Sequence, residues 1–145
     1  MNARVRRAVG AIAAIAAVAV LVAACGGSGN DLTGKTWQAS AITTTVPAFQ
    51  GMVPPDQAAN YTIAFQSDGN AAIKADCNNV LATYTTEETN ISIVPGPSTL
   101  VACPDDSLSD KFVAGLSSAT TYNIRPSGLT LYILNEGQLE FVAAK

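Results

Sequence analysis

Two hydrophobic patterns divide this chain. From Ala8 to Ala24 every residue is Ala, Val, Ile, Leu or Gly, an unbroken apolar run. Beyond Leu32 the pattern is mostly period two, which predicts strands with one buried face. Tyr61, Ile63 and Phe65 alternate, Ser67-Asp68-Gly69-Asn70 turns the chain, and Ala71–Ala75 returns as a hairpin partner. Val80, Ala82 and Tyr84 follow, then Ile91 and Ile93 before a break at Pro95-Gly96-Pro97. Tyr122 and Ile124 lead through Pro126-Ser127-Gly128 to Leu129, Leu131 and Ile133, and Asn135-Glu136-Gly137 turns into Leu139, Phe141 and Ala143. Trp37 falls in an early strand of about Thr36–Ile42. Residues 43–59, with Pro47, Pro54 and Pro55, read as a long irregular loop.

One stretch has a different period. Asp105, Asp106 and Ser107, after Pro104, put acidic and capping groups at a helix start. Leu108, Phe112 and Leu116 then recur every four residues as one apolar stripe. The expectation is a mainly β (α+β) fold of about seven or eight short antiparallel strands with one amphipathic helix. Such a sheet, with its concave face covered by the helix, is a small open barrel or half-barrel.

The apolar run belongs to a different part of the molecule. Arg4, Arg6 and Arg7 precede it, and no charge follows until Asp31. A basic start, an apolar stretch and small residues form a secretory signal. Leu21-Val22-Ala23-Ala24-Cys25 resembles a bacterial lipobox, which implies cleavage before Cys25 and acylation of its thiol. The expected divisions are therefore a signal peptide at 1–24, a lipidated cysteine with a Gly-rich tether at 25–31, and one domain at 32–145. That places the protein at the cell membrane, lipid-anchored on its extracytoplasmic face.

Removing residues 1–24 takes three of the eight basic side chains and leaves five against eleven acidic ones, a net charge of −6. An acidic domain argues against nucleic acid, whose phosphates need clustered Lys and Arg. Membrane attachment is then expected through the acyl chains on Cys25 rather than through charge. Cys77 and Cys103 remain as an even pair in an oxidising compartment and read as a disulfide. It would close a loop of roughly 27 residues and contribute on the order of 3–4 kcal/mol. A redox pair or a zinc site fits less well, because the cysteines are far apart and the chain has no histidine.

Read in order, these landmarks resemble the META domain family, which includes HslJ-type heat-shock lipoproteins. The carrying residues are Leu32-x-Gly34-x-x-Trp37, Cys77-Asn78 with Tyr84, Thr99-x-x-Ala102-Cys103-Pro104, and Leu129-x-Leu131. Two departures concern one turn: Asp76 stands where the family commonly has glycine, and Leu81-Ala82-Thr83 replaces a glycine-containing approach to Tyr84. The resemblance implies a mainly β barrel in a cell-envelope protein linked to stress or antibiotic tolerance, and it carries no catalytic residues.

The chemistry of the chain points the same way. Without histidine the commonest general base is missing. Ser107 and Lys111 are four apart on the helix, but Asp106 and Asp110 account for Lys111 as an ion-pair partner. Glu87-Glu88 and Asp105-Asp106 read as a turn and a helix start. No catalytic residue, metal site or cofactor is expected. Trp37, Tyr61, Phe65 and Phe112 are core candidates that would, in a half-barrel, line a groove for an apolar ligand. The leading expectation is a monomeric, non-enzymatic module binding an envelope protein or apolar ligand. The alternatives are an envelope hydrolase using acidic residues, or an inhibitor of extracytoplasmic peptidases presenting the 43–59 segment.

Overall fold

The computed structural model describes residues 31–45 and 47–145. They form nine strands: β1 (Thr36–Thr45), β2 (Ala48–Met52), β3 (Tyr61–Phe65), β4 (Asn70–Ala75), β5 (Asn78–Glu87), β6 (Asn90–Ser98), β7 (Ala119–Arg125), β8 (Gly128–Ile133) and β9 (Gly137–Ala143). One helix, α1 (Ser109–Ser117), lies between β6 and β7, and a 3₁₀ turn at Ala58–Asn60 precedes β3. Every pairing between these strands is antiparallel. Strands β1 and β3 through β9 follow one another around the wall, and β9 pairs back onto β1. The expected small antiparallel barrel with one helix is what forms. Its weakest seam is β6–β7, joined through the single pair Asn90↔Thr121.

Alternation supplies the core. Tyr61, Ile63 and Phe65 of β3, Ala71, Ile73 and Ala75 of β4, and Leu129, Leu131 and Ile133 of β8 all point inward and are buried. In β1 the inward set is Trp37, Ala39 and then Ile42, a change of parity. The β1–β9 register slips between Ala39 and Ala41, and one extra residue moves the later side chains to the other face. A second slip lies opposite Leu81, where Ala82 pairs with Pro95 and Val80 with Ser98. Pro95-Gly96-Pro97 is therefore a bulge within β6, not the break expected. Proline cannot donate to the ladder, so a bulge accommodates it.

The helix covers one mouth of the barrel. It touches β1 and β6, which lie across the wall from each other, as well as β4 and β9. Phe112 and Leu116 are fully buried, each worth about 1.5–3 kcal/mol of burial. Phe112 packs edge-on against Tyr61, with ring centroids 5.7 Å apart. Gly115 permits the close approach, since a Cβ there would meet Leu139 Cδ1 at 3.0 Å. The helix starts later than expected, at Ser109, with Leu108 as N-cap. Asp105 and Asp106 lie upstream of it. The Ser109 N–H donates to Ser107 Oγ at 3.2 Å, and the Leu108 N–H donates to the Tyr61 hydroxyl at 3.0 Å. A tyrosine from β3 thus accepts an orphan donor of the helix end.

The segment 43–59 also corrects the expectation of an irregular loop. Strand β1 continues to Thr45, and β2 pairs with it from Thr45↔Ala48 to Ala41↔Met52. Strand β3 uses the same edge of β1 only at Thr36–Gln38, so β2 occupies the length that β3 leaves free.

The two barrel ends differ. The helix end holds α1, the β1–β2 hairpin, the β4–β5 turn and the β8–β9 turn. At the opposite end the described chain begins. Thr33 bridges to Phe65, and the Trp37 indole N–H donates to the Leu32 carbonyl at 2.9 Å, with Leu32 buried beneath the wall.

Candidate binding cleft

The signal segment 1–24 and the lipidation position Cys25 lie outside the described residues. Cys77 and Cys103 form a disulfide with Cα atoms 5.6 Å apart. Asn78 sits against it. Its Nδ2 donates to the Val101 carbonyl at 3.0 Å and lies 3.4 Å from each sulfur, and its Oδ1 accepts from the Val101 N–H at 2.8 Å and from Thr99 Oγ1 at 3.1 Å. The Cys-Asn and Thr-x-x-x-Cys motifs thus form one clasp, which fastens the strand leaving β6 onto the start of β5.

The aromatic groove is not there. Trp37, Tyr61, Phe65 and Phe112 are 0–3% exposed and belong to the core. The physical reason is that α1 and Leu32 close the two mouths, so the barrel interior is filled by side chains. The other polar candidates are apart. Ser107 Oγ is engaged by Ser109, whereas Lys111 Nζ lies 4.9 Å from the centre of the Phe49 ring. Glu87 ends β5 and Glu88 occupies the next turn at the barrel end where the described chain begins, while Asp105 and Asp106 lie at the helix end. Among the described residues no group of three or more His, Cys, Asp or Glu could hold a metal ion.

At the barrel end where the described chain begins, Asp68 accepts from the Asn70 backbone N–H at 3.0 Å and from Asn70 Nδ2 at 2.8 Å. These two bonds hold its carboxyl below the ordinary carboxylate value. Tyr84 packs edge-on against Phe65 and donates its hydroxyl to the Gln66 carbonyl at 2.7 Å. Burial raises its phenol above the ordinary value, with smaller contributions from the negative Asp68 and from Tyr122.

The concavity best suited to a ligand lies at the other end, between α1 and the β1–β2 hairpin. It encloses about 380 Å³, inside the range of roughly 300–1,000 Å³ usual for ligand sites. Its floor and walls are mostly apolar: Pro47, Phe49, Ala114, Gly115 and Ile133. Asp110, Lys111 and Glu136 stand around it. Phe49 is half-buried, its ring folded across Gly51, where any side chain would collide with the ring at 2.6 Å. Little in the sequence marks this cleft, because of the two half-buried positions of β2 only Phe49 carries a large side chain, the other being Gly51.

Charge is uneven between the ends. The helix end carries Asp56, Asp76, Asp105, Asp106, Asp110 and Glu136 against Lys74 and Lys111, an excess of four negative charges. Lys74 is bound to Asn60 Oδ1 at 2.9 Å. The opposite end nearly balances, with Asp31, Asp68, Glu87 and Glu88 against Lys35, Arg125 and Lys145.

In sequence, residues 30–145 match the META domain. No curated protein matches the chain. Solved structures that share the fold include two of low sequence identity. A protein from Burkholderia xenovorans, determined by NMR, superposes with a TM-score of 0.60 at 20% identity, over 79% of this chain and 84% of that one. A DUF4847 family protein from Bacteroides vulgatus gives a TM-score of 0.56 at 14% identity, over 77% of this chain and 93% of that one.

Proposed function

The chain belongs to the META domain family, and on that footing we propose that it is a non-catalytic binding module of the cell envelope. In this reading acyl chains on Cys25 hold it at the extracytoplasmic face of the membrane, where it serves envelope maintenance or tolerance of stress and antibiotics. The observation that carries the proposal is the position of the cleft. It lies at the barrel end opposite the one where the chain enters the domain. A flexible tether of this length spans roughly 12–15 Å. The field of charged headgroups fades over about 8 Å at physiological salt. An anchored domain would therefore present the cleft away from the bilayer and beyond its surface field.

The non-catalytic part of the proposal is supported by the separation of the two acidic pairs. Hydrolysis by paired carboxylates needs both acids across one bond, roughly 5–10 Å apart. Glu87-Glu88 and Asp105-Asp106 lie at opposite ends of the barrel.

Site-specific crosslinking in native membranes tests the binding role. A benzophenone side chain at Ala114, which lines the cleft, is compared with one at Thr85, on the outer wall near the tether end. A discrete adduct at Ala114 and none at Thr85 is the expected result. Equal labelling at both positions, or none at either, would overturn the proposal.

A further inference from the structure

We propose that segment 98–104 is a substrate-like loop that inhibits a serine peptidase reversibly, with Leu100 seated in the enzyme's apolar specificity pocket. The loop shares no residue with the cleft lining. It also differs from segment 43–59, most of which is built into β1 and β2.

The first argument is the contrast between Leu100 and its neighbours. Leu100 is 96% exposed, the most of any large apolar side chain among the described residues. Neither its N–H nor its carbonyl meets a partner among them. The residues on both sides, however, are fastened. The Thr99 N–H donates to the Asn79 carbonyl at 3.0 Å, and Thr99 Oγ1 accepts from the Asn79 N–H at 3.0 Å. The same hydroxyl donates to Asn78 Oδ1 at 3.1 Å. Beyond Leu100 the Asn78 amide holds both the N–H and the carbonyl of Val101, and Cys103 is bonded to Cys77. Pro104 restricts Cys103 in turn to extended backbone. From Thr99 to Pro104 the chain is neither helix nor turn and takes no positive φ. One free residue between two fixed ones is preordered, so the ordering cost that a loose peptide meets on binding is already met by the fold.

The second argument concerns the bond after Leu100. A serine peptidase adds its hydroxyl oxygen to the Leu100 carbonyl carbon, and the C–N bond to Val101 breaks. The Val101 nitrogen leaves with the serine's proton, passed on by the enzyme's base, and an acyl-enzyme remains. In an ordinary substrate the new amine departs and water takes its place. Here the Val101 carbonyl stays bonded to Asn78 Nδ2, and Cys103 stays bonded to Cys77. Thr99 holds the acyl side to the same asparagine. The amine is therefore kept beside the ester at high effective concentration, attacks it, gives back its proton and restores the peptide bond. The enzyme stays occupied by a bond that reforms.

Chemistry narrows the partner. The exchange needs a covalent acyl-enzyme, so a peptidase that activates water with a metal is not held this way. A disulfide-fastened loop belongs to an oxidising compartment, where a catalytic thiol is open to oxidation and a serine is not. Leu100 matches a hydrophobic specificity pocket and not one that carries an acid.

The test uses the lipidated protein in phosphatidylcholine vesicles, with chymotrypsin as the probe for apolar residues and trypsin as the probe for basic ones. Chymotrypsin is expected to be inhibited competitively, with Leu100–Val101 the first bond cut. Cut and intact forms should settle at a stable ratio, and isolated cut protein should be partly resealed by added enzyme. Leu100→Arg, a change at a solvated side chain, should move inhibition from chymotrypsin to trypsin by at least about a hundredfold in each case. Asn78→Ala, its fold checked by circular dichroism, should be cut to completion. No inhibition of chymotrypsin, a first cut elsewhere, complete cleavage without resealing, or a Leu100→Arg protein that inhibits trypsin no better than the wild type would each overturn the proposal. Crosslinking at Ala114 reads the cleft alone, so the two proposals stand or fall separately.

Discussion

The side-chain amide of Asn78 holds the backbone of Val101 in both directions, accepting its N–H at 2.8 Å and donating to its carbonyl at 3.0 Å. One side chain thereby does what a paired strand residue would do, at a point where the chain has left β6 and no strand partner remains. The same amide lies 3.4 Å from both sulfurs of the disulfide, so the covalent and hydrogen-bonded fastenings form one unit. Asn78→Ala deletes the bonds to Val101 and Thr99. At about 1 kcal/mol for each net hydrogen bond, and with the site half open to water, a loss of about 1–3 kcal/mol is expected. Asn78→Asp should be at least as costly, because it turns an acceptor toward the Val101 carbonyl and the sulfurs. Urea unfolding of the oxidised proteins measures this, and a change below about 0.5 kcal/mol would mean that these bonds do not stabilise the fold.

The turn before that clasp carries the family departure. Asp76 has φ of +57°, the left-handed region that glycine enters freely. Aspartate tolerates it better than most residues, so the turn forms without its customary glycine. Asp76→Gly is expected to leave stability unchanged or raise it by up to about 1 kcal/mol. Asp76→Val, β-branched, should lower it by about 1–2 kcal/mol. The comparison is made by urea midpoints, and equal stability of the two variants would mean that the backbone angle does not matter here.

Much of the barrel is legible in the sequence where alternation and turn chemistry agree. Tyr61, Ile63 and Phe65 with the Asp68-Gly69 turn predict the β3–β4 hairpin, and Leu129 to Leu139 predict β8–β9, both of which form. Phe112 and Leu116 likewise mark the buried stripe of α1. What stays hidden depends on tertiary closure. The bulges at Ser40 and at Pro95-Gly96-Pro97 arise because the wall must close, and no local pattern encodes that. Strand β2 rests on one neighbour and buries little, so it leaves no alternation to read. The aromatic residues were readable as apolar but not as groove or core. That choice is settled by the helix and Leu32 closing the mouths.

Two titrating groups at the barrel end opposite the helix give opposite pH dependences. Hydrogen bonds from Asn70 lower the Asp68 carboxyl from its ordinary value. A depressed folded value means stability is fully present above the unfolded value of about 3.9 and is lost as pH falls through the folded one. Burial raises Tyr84, so its contribution is present below about pH 10 and is lost as pH rises through the folded value. NMR titration should place Asp68 below the ordinary aspartate value, and Asn70→Ala should move it upward. Absorbance titration of phenolate should show a late component that Tyr84→Phe removes. If Asn70→Ala leaves Asp68 in place, its hydrogen bonds are not the cause of the shift.

The anchor is testable by mass. If Cys25 is the acylated first residue, protein taken from native membranes should begin there and carry the added mass of acyl chains. The remaining two cysteines, paired between Cys77 and Cys103, should take up alkylating reagent only after reduction. Cys25→Ser should abolish both cleavage and acylation, because the thiol is the group modified, while the barrel, which begins beyond the tether, keeps its stability. The variant therefore separates attachment from folding. A wild-type chain of full length without acyl mass would refute the anchor and, with it, the argument that the cleft faces away from a bilayer. The disulfide and the fold would remain, since neither depends on Cys25.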